Sequence, residues 1–384
     1  MKKIMLVFGT RPEAIKMAPL VHAFKTSRRE FSTCVCVTAQ HRQMLDDVLR
    51  IFSITPDHDL NIMQDGQTLT HVTGACIARM EKILQQERPG LVLVHGDTTT
   101  TFASTIASFY QKIPVGHVEA GLRSYNKMHP YPEEANRLLT DSICDLYFAP
   151  TATARRALLR ENVAPEKIFV TGNTVTDALA MALGRRHSFS EPSLRLIFKN
   201  NNPLVLVTAH RRENFGEPFE NVFRALRRIA VRYPQVSLAY PVHLNPMVQE
   251  PARRILGGVE NVHLLPPLDY LDLANLMKRS YIVVTDSGGL QEEAPSLGKP
   301  VLVLREVTER PEAVKAGTVK IIGTNGEKVF GAIEKLLTDK RLYKKMSQAV
   351  NPYGDGKAAG RIVQAVRHYF TPSAPRPADF KVNN

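Results

Sequence analysis

Tryptophan is absent from this 384-residue sequence, and only four cysteines occur. No apolar stretch approaches the ~20 residues that a membrane-spanning helix needs, so we expect no membrane partner. The cysteines lack the spacing of metal ligands, and Cys34 and Cys36 alternate along one predicted strand. These observations favour buried free thiols over a zinc site or a disulfide. The short apolar run before Arg11 predicts the first strand of a cytoplasmic protein, not a secretory signal.

Several common catalytic signatures are missing as well. The sequence contains no GxSxG, HExxH, GxxxxGK(S/T) or GxGxxG pattern. Their absence argues against a serine hydrolase, a metalloprotease, a P-loop NTPase and a common dinucleotide enzyme.

Positive charge exceeds negative charge, with a formal net charge of +13. Nucleic-acid binding is therefore a class to consider. However, the lysines and arginines are scattered, and no basic run is interleaved with aromatic residues. A solvated basic surface, or a basic cleft for a phosphorylated small molecule, fits this pattern equally well. We expect no nucleic-acid partner.

Short β-branched runs alternate with amphipathic stretches along most of the chain, which predicts parallel sheets with helical crossovers. One open sheet of a dozen strands would be unusual, so two sheets of about six strands each are expected. The fold class is therefore α/β, with two Rossmann-like, doubly wound domains that face a cleft. The predicted strands are residues 4–8, 33–38, 91–95, 114–118, 146–149, 168–171, 204–208, 235–240, 262–265, 281–285, 301–304 and 319–322. Predicted helices include 12–24, 67–86 and 357–370.

The periodicity is lost near residues 184–203, which predicts the domain boundary there. We expect an N-terminal domain over residues 1–180 and a C-terminal, nucleotide-binding domain over 200–355. A last helix over 356–370 would pack on the first domain. Residues 371–384 contain prolines and polar residues and are predicted to form a loose tail.

Three carboxylates lie close together in the middle of the first half. Asp97 and Glu119 each follow a β-branched run and precede a helical pattern, while Glu133 lies in YPEE, where a helix begins. Ligands of α/β sheets bind at such strand ends. A carboxyl group acts as base or acid according to its surroundings, so this set predicts proton-transfer chemistry.

The segment TDSGGLQEE follows a predicted strand in the second half. Ser287 is a plausible helix N-cap, and Gly288 and Gly289 would let a phosphate approach free backbone N–H groups. Glu292 and Glu293 are expected in the first turn, where acidic residues support a helix start. An ordinary capped helix after a glycine turn explains the same segment equally well.

Basic residues occur at further strand ends. Arg11 lies at the tip of the turn after the first strand, where it can bind a phosphate with Lys16; a surface salt bridge to Glu13 is the alternative. His210 follows the first strand of the second half and is a candidate general acid or phosphate partner. Arg310 lies in a loop and is expected to approach the phosphates or a carboxylate.

A series of motifs extends in order from residue 2 to residue 370. The motifs are GTRPEAIKMAPL, TAQHRQML, LVLVHGDTTTT, IPVGHVEAGLRS, YPEEANR, TAHRRENFGEP, YPVHLNP, TDSGGLQEEAPSLGKPVLVLRE, TERPEAV and NPYGDG. This series resembles the non-hydrolysing UDP-N-acetylglucosamine 2-epimerases of bacteria. The resemblance implies the glycosyltransferase-B-like fold, a C-terminal helix that crosses back to the first domain, a homodimer, and no metal or other cofactor.

The activity that the resemblance implies is inversion at C2 of UDP-N-acetylglucosamine to give UDP-N-acetylmannosamine. The route would be elimination of UDP to 2-acetamidoglucal and re-addition, in the service of cell-surface polysaccharide synthesis. Three alternatives stay open: a hydrolysing 2-epimerase that releases N-acetylmannosamine and UDP, a glycosyltransferase of the same fold, and a nucleotide-sugar-binding regulator.

The resemblance also implies roles for individual residues. The implied catalytic residues are Asp97, Glu119, Glu133 and His210. The implied substrate-binding residues are Arg11, Lys16, Asp97, Glu119, His210, Leu268, Leu273, Ser287, Gly288, Gly289, Glu293 and Arg310. A second UDP-N-acetylglucosamine, bound as activator, would contact Gln40, His41, Gln43, Arg211 and His243. Gly66 departs from that pattern, because activated relatives carry Arg there.

Overall fold

The computed structural model describes residues 1–40, 42–64, 66–198, 202–308 and 310–382. The chain divides into two compact units. The first unit comprises Met1–Ala182 together with Tyr353–Lys381, and Leu183–Pro352 belongs to the second. Within the described residues, no helix is long and apolar enough to cross a membrane.

The first unit contains, in its described part, a seven-stranded parallel sheet in the order β3-β2-β1-β4-β5-β6-β7. Its strands are β1 (Lys2–Phe8), β2 (Phe31–Val37), β3 (His58–Asp59), β4 (Leu91–His95), β5 (Val115–Val118), β6 (Leu146–Ala149) and β7 (Ile168–Val170). Its helices are α1 (Arg11–Thr26), α2 (Arg42–Ile51), α3 (Leu69–Glu87), α4 (Thr99–Tyr110), α5 (Glu133–Asp141), α6 (Ala152–Arg160) and α7 (Thr174–Leu183). The strands are buried almost throughout, as parallel sheets covered by helices require.

The described part of the second unit contains a six-stranded parallel sheet in the order β10-β9-β8-β11-β12-β13. Its strands are β8 (Leu204–Thr208), β9 (Ser237–Pro241), β10 (Val262–Leu265), β11 (Ile282–Thr285), β12 (Val301–Val303) and β13 (Val319–Ile321). Its helices are α8 (Pro192–Ile197), α9 (Glu217–Arg232), α10 (Pro246–Leu256), α11 (Tyr270–Arg279), α12 (Gly288–Ser296), α13 (Pro311–Ala316), α14 (Gly326–Thr338) and α15 (Lys340–Ser347). The last helix of the chain, α16 (Ala358–Phe370), belongs to the first unit.

Both sheets have the doubly wound pattern, and the predicted α/β fold class is confirmed. The strand order reverses between β1 and β4 in the first unit and between β8 and β11 in the second. In such sheets ligands bind beyond the carboxyl ends of the strands at this switch point. Residues that follow these strands are therefore the first candidates for function.

All twelve predicted strands are present, four with the predicted bounds and the others within two residues of them. One strand was missed, because β3 contains only two residues at the edge of the sheet and carries no periodic pattern. All four cysteines are buried free thiols, as expected.

The segment that follows residue 182 is more ordered than its lost periodicity suggested. It contains α8, and the His187 ring lies 2.7 Å from the Asp272 carboxylate. Asp272 also accepts a hydrogen bond from the Ser190 hydroxyl at 2.5 Å. These polar contacts hold the segment in a defined position without a periodic apolar pattern. The sequence alone therefore does not reveal that position.

The expectation of a loose tail over residues 371–384 is wrong for the described part of that segment. The Arg376 guanidinium donates hydrogen bonds to the carbonyls of Glu166 and Ile168, at 2.7 and 2.5 Å. The Phe380 N–H donates to the Val170 carbonyl at 2.7 Å, and the Asp379 carboxylate accepts from the Val170 N–H at 3.1 Å. Prolines and polar residues indicate irregular backbone, but they do not exclude a fixed position against an edge strand such as β7.

The junction to α16 is also fixed by a carboxylate. Asp177, on α7, accepts hydrogen bonds from the N–H groups of Ala358 and Ala359 at 3.2 and 2.9 Å. These N–H groups lie in the first turn of α16 and have no partner within the helix itself. A buried side chain of the first unit therefore caps the last helix.

Candidate active site

Asp97 follows β4 at the switch point of the first sheet. Gly96, the residue before it, has a φ of +71°, a backbone conformation that glycine adopts without strain. This turn brings the Asp97 carboxylate to the Arg137 guanidinium, with 2.5 Å between Oδ2 and Nη2. Removal from water by itself would raise the pKa of Asp97, but the charge of Arg137 holds the pKa below its ordinary value. The side chain remains 34% exposed, so an ionised carboxylate is accessible to a ligand.

Glu119 follows the neighbouring strand β5 and is buried. Its φ is +67°, which is unusual for a residue with a side chain and is typical of strained functional positions. The carboxylate forms an ion pair with Lys16 of α1. It also accepts a hydrogen bond from the Asn173 amide at 2.8 Å. Glu119 is therefore held by groups from two other elements of the first unit.

Arg137 links the two carboxylate positions. Besides its ion pair with Asp97, it donates a hydrogen bond to the main-chain carbonyl of Glu119 and lies 3.5 Å from the Glu119 carboxylate. Its neighbour Asn136 donates to the main-chain carbonyl of Asp97 at 3.0 Å. Burial by itself would lower the pKa of Arg137, but the charges of Asp97 and Glu119 raise it. Helix α5 thus presents a permanent cation to both acids.

His95, the last residue of β4, lies beside this pair. Its Nε2 atom is 3.8 Å from the Glu119 carboxylate. Burial lowers the pKa of His95 to about 3, more than the neighbouring Glu119 raises it. The ring is therefore neutral at neutral pH and adds no charge to the site.

Glu133 is the first residue of α5, one turn before Arg137. Its neighbour Glu134 is buried and accepts hydrogen bonds from the N–H groups of Ser124 and Tyr125, each at 2.9 Å. Glu134 therefore fixes the loop that follows Glu119. The structure brings Asp97 and Glu119 to one guanidinium, and it places Glu133 on the helix that carries that guanidinium.

Arg11 is the first residue of α1, and Pro12 is the second, not the first as expected. The alternative of a surface salt bridge between Arg11 and Glu13 is wrong, because Glu13 is buried. The Glu13 carboxylate accepts hydrogen bonds from the N–H groups of Gly9 and Thr10 at 3.0 and 2.7 Å. It also accepts from the Thr98 hydroxyl at 2.6 Å, and so joins the start of α1 to the start of α4 across the switch point.

In the second unit, Asp286 follows β11 and is fully buried. Its Oδ2 atom accepts hydrogen bonds from the N–H groups of His210 and Arg211, both at 2.8 Å, and its Oδ1 atom lies 3.4 Å from the His210 ring. The His210 ring stacks on His243, with 5.7 Å between centroids. Partial burial lowers the pKa of His210, and the charge of Asp286 opposes this effect. Asp286 thus fixes the turn after β8 that carries His210.

Helix α12 begins at Gly288, and Ser287 is its N-cap residue without a side-chain capping hydrogen bond. The expectation that Glu292 and Glu293 lie in its first turn is wrong: counted from Gly288, the first helical residue, they lie in the second turn, and both are buried. Glu292 forms an ion pair with Arg310. Glu293 lies 3.4 Å from the Tyr270 hydroxyl. Arg310 was expected to close on the phosphates or on a lid carboxylate; the carboxylate that it contacts here, Glu292, is a buried residue of α12.

The remaining predicted residues are distributed over both units. Leu268 is buried and Leu273 is half-buried on α11. The Gln40 amide oxygen accepts a hydrogen bond from Thr100 at 3.2 Å, whereas Gln43 is exposed on α2. His41 lies outside the described residues.

Sequence reasoning missed several residues that the structure places at these sites. The residues that were not predicted are His95, His117, Arg137, Asn173 and Asp286. For Asp286 the sequence does contain an indication, because this residue directly follows a β-branched run, as Asp97 nearly does. For Asn173 and Arg137 the sequence contains no such indication, because their contacts depend on how β7 and α5 pack.

One group in the described residues has the composition of a metal site. Cys34, His58 and Glu87 lie within reach of a common ion. However, Glu87 already binds the Lys3 ammonium at 2.8 Å and the His58 ring at 2.9 Å. Burial, with the nearby charge of Glu87, raises the pKa of the Cys34 thiol to about 12, so the thiol is protonated. We therefore interpret this group as a structural ion-pair cluster at the edge of the sheet.

Two doubly wound parallel sheets with charged groups at both switch points define an α/β protein whose ligand sites lie at the strand ends. A family model described as UDP-N-acetylglucosamine 2-epimerase matches residues 24–367. The chain therefore belongs to the UDP-N-acetylglucosamine 2-epimerase family, and the resemblance seen in its motifs is confirmed.

Individual relatives agree with this assignment over their whole length. The UDP-N-acetylglucosamine 2-epimerase of Salmonella typhimurium is 55% identical over 372 residues, which cover 96% of this chain and 99% of the relative. The Bacillus subtilis enzyme of the same name is 53% identical over 378 residues, 98% of each chain. Among solved structures, UDP-GlcNAc 2-epimerase from Neisseria meningitidis bound to UDP-GlcNAc is 47% identical, with a TM-score of 0.87 and coverage of 95% and 99%. A co-structure of S. aureus MnaA with UDP is 50% identical, with a TM-score of 0.89 and coverage of 99% and 100%.

Proposed function

We propose that this protein interconverts UDP-N-acetylglucosamine and UDP-N-acetylmannosamine without releasing the sugar. The observation that carries the proposal is the pair of carboxylates, Asp97 and Glu119, held on one buried guanidinium in a member of this family. Inversion at C2 needs one group to remove a proton and another to return it on the opposite face. Two differently surrounded carboxylates meet this need.

The first half-reaction is an elimination. Asp97, ionised beside Arg137, takes the C2 proton; the C2–H electrons form the C1=C2 double bond, and the C1–O bond breaks to release UDP. The product is 2-acetamidoglucal. The bond to UDP breaks readily only if the charge that grows on the departing phosphate is held by fixed donors.

The second unit supplies the groups for that charge. Helix α12 starts at Gly288 without a capping hydrogen bond from the Ser287 side chain, and the N–H groups of its first turn favour an anion. The Ser287 N–H itself donates to the Thr285 hydroxyl at 2.9 Å, so Ser287 would offer its own hydroxyl. His210 is held close by through Asp286. We assign the pyrophosphate to these groups with help from Arg11 and Arg310, the ribose hydroxyls to Glu293, and the uracil to the backbone near Leu268 and Leu273. The relatives from Neisseria meningitidis and S. aureus, bound to UDP-GlcNAc and to UDP, support a uridine nucleotide as ligand.

The second half-reaction reverses these steps on the other face of the sugar. The phosphate oxygen of UDP attacks C1 of the glycal, and C2 receives a proton. We assign this proton to the pair of Glu119 and Lys16, since their ion pair places a dissociable proton beside a buried carboxylate. Glu133, one turn before Arg137, is the third member of the acid–base set.

Three finer assignments belong to the same proposal. The product feeds cell-surface polysaccharide synthesis, and the active form is a homodimer. A second UDP-N-acetylglucosamine binds as activator through Gln40, His41, Gln43, Arg211 and His243, although the exposed Gly66 offers no side chain to that site.

Proton NMR of UDP-N-acetylglucosamine with the protein in deuterated water tests the proposal. We expect UDP-N-acetylmannosamine to appear and deuterium to enter at C2 of both sugars. Free UDP that accumulates in step with N-acetylmannosamine would instead establish a hydrolysing epimerase. Absence of both product and deuterium at C2 would remove the epimerase assignment and favour a glycosyltransferase or a binding protein.

A further inference from the structure

His117 is a fully buried histidine on β5, two residues before Glu119. Its Nδ1 atom lies 2.5 Å from the Asp141 carboxylate. Its Nε2 atom lies 2.7 Å from the main-chain carbonyl oxygen of Gly96. Neither the proposed reaction nor the sequence motifs assign this residue a role.

Both neighbours of the ring are oxygen atoms that accept hydrogen bonds. A carbonyl oxygen has no proton to donate, so Nε2 must carry one. The Oδ2 atom of Asp141 accepts hydrogen bonds from the Arg123 guanidinium at 2.6 Å and from the Gly121 N–H at 3.1 Å, which are the partners of an ionised carboxylate. An ionised Asp141 also only accepts, so Nδ1 must carry a proton as well. A ring that donates from both nitrogens is an imidazolium.

The charges around the ring agree with this assignment. Arg123 lies 2.6 Å from the Asp141 carboxylate and 2.6 Å from the Glu161 carboxylate. His117, Asp141 and Arg123 are buried, whereas the Glu161 side chain is 30% exposed. A buried charge is tolerated when it is paired and hydrogen-bonded, and Asp141 pairs with both the ring and Arg123.

The contacts of this cluster reach both turns that carry the candidate acids. The Gly96 carbonyl accepts from His117, and the Gly96 N–H donates to the Val118 carbonyl at 2.9 Å. Both the N–H and the carbonyl group of Gly96, the residue directly before Asp97, are thus hydrogen-bonded to β5. On the other side, Asp141 accepts a hydrogen bond from the Gly121 N–H at 3.1 Å, two residues after Glu119.

We propose that His117 is a buried imidazolium that acts as a positioning residue, fixing the separation of Asp97 and Glu119 through Gly96 and Asp141. The positioning role of His117 rests on the proposed epimerase function, whereas the protonation of both ring nitrogens does not. Displacement of a catalytic group by ~1 Å can cost ~10²-fold in rate, so a rigid link between the two turns has a direct effect on turnover.

The protonation state is tested on the unmodified protein. In a proton–nitrogen spectrum of protein with ¹⁵N-labelled histidine, His117 should show two ring N–H protons that exchange slowly with water. The His117→Asn variant assigns them by their loss. A single ring N–H for His117 would overturn the imidazolium, and this result does not depend on any activity.

The positioning role is tested with two variants that divide the contacts of the ring. The amide nitrogen of Asn corresponds in position to Nδ1, so His117→Asn keeps the contact with Asp141 and loses Gly96. The amide nitrogen of Gln extends towards the position of Nε2, so His117→Gln keeps the contact with Gly96 and loses the contact with Asp141, which retains Arg123 and Gly121. We expect His117→Asn to be the more stable variant and His117→Gln to have the higher kcat, by ~10-fold or more, with similar KM values.

These opposite orders separate positioning from stability. If the role of His117 is only structural, kcat follows the melting temperature, and the Asn variant is the more active one; that result would overturn the positioning role. Equal kcat values in the two variants would overturn it as well. If the unmodified protein exchanges no C2 proton, the epimerase proposal fails, while the spectrum still decides the imidazolium.

Discussion

Arg137 and Asp97 form an ion pair of 2.5 Å at the switch point of the first sheet. The carboxylate stays ionised although it is partly withdrawn from water, because Arg137, with help from Lys16, lowers the pKa of Asp97 against the effects of desolvation and Glu119. An acid that is ionised at neutral pH and 34% exposed is suited to accept a proton from a bound sugar.

Replacement of Arg137 should therefore move the acid limb of the pH–rate profile. In Arg137→Gln the desolvation of Asp97 remains and the opposing charge is lost, so its pKa rises. We expect the acid limb of kcat/KM to shift to higher pH. Arg137→Lys keeps the charge and should shift the limb less. An acid limb that stays in place in the Gln variant would show that Asp97 does not control it.

Removal of either carboxylate should reduce turnover without unfolding the protein. We expect Asp97→Asn and Glu119→Gln each to lower kcat by ~10²–10⁴-fold, the usual contribution of a positioned acid or base. Deuterium incorporation at C2, followed by proton NMR, is the measurement, and circular dichroism checks the fold. Near-normal rates in both variants would contradict the assigned roles.

Loss of the Asp286 charge should be visible at His210. Asp286 raises the pKa of His210 against the effect of burial, so Asp286→Asn should lower that pKa further. The Asn side chain can still accept the hydrogen bonds from the N–H groups of His210 and Arg211. Titration of the His210 ring by NMR measures the shift, and calorimetry with UDP measures its effect on binding. A titration identical to that of the parent protein would refute the electrostatic link.

The C-terminal segment should contribute to the stability of the first unit. Truncation after Phe370 removes the contacts of Arg376, Asp379 and Phe380. We expect a loss of about 2–4 kcal/mol in the free energy of unfolding, because the contributions of the hydrogen bonds and of the buried aromatic ring are partly offset by the conformational entropy of ordering the segment. Urea unfolding is the measurement. Truncation after residue 381 is the control and should leave the midpoint unchanged; an unchanged midpoint in the longer truncation would contradict the prediction.

Most strands of both sheets were predictable because they are short apolar runs, such as the buried strands β4 and β8, that are bounded by turn residues. The same rule places Asp97 and Glu119, since each follows such a run and the carboxyl ends of parallel strands share an edge. β3 was not predictable, because two residues show no period.

Side-chain contacts between distant segments were the part that the sequence did not reveal. Arg137 reaches Asp97 and Glu119 only through the orientation of α5, and Asn173 reaches Glu119 only because β7 ends nearby. Periodicity reports which face of an element is buried, but not which polar atom of another element it meets. The two glutamates of α12 show the same limit, because the sequence does not reveal that both are buried or that they lie beside Arg310 and Tyr270.

The discontinuous first unit has a consequence for biosynthesis. Its sheet is encoded before residue 182, yet α16 and the segment that covers β7 are encoded after the second unit. A ribosome therefore exposes the edge of β7 in the nascent chain until nearly the whole protein has been translated. During that interval the edge can pair with another chain, so exposure to aggregation and to capture by chaperones lasts from the synthesis of β7 until the C-terminal segment has been made.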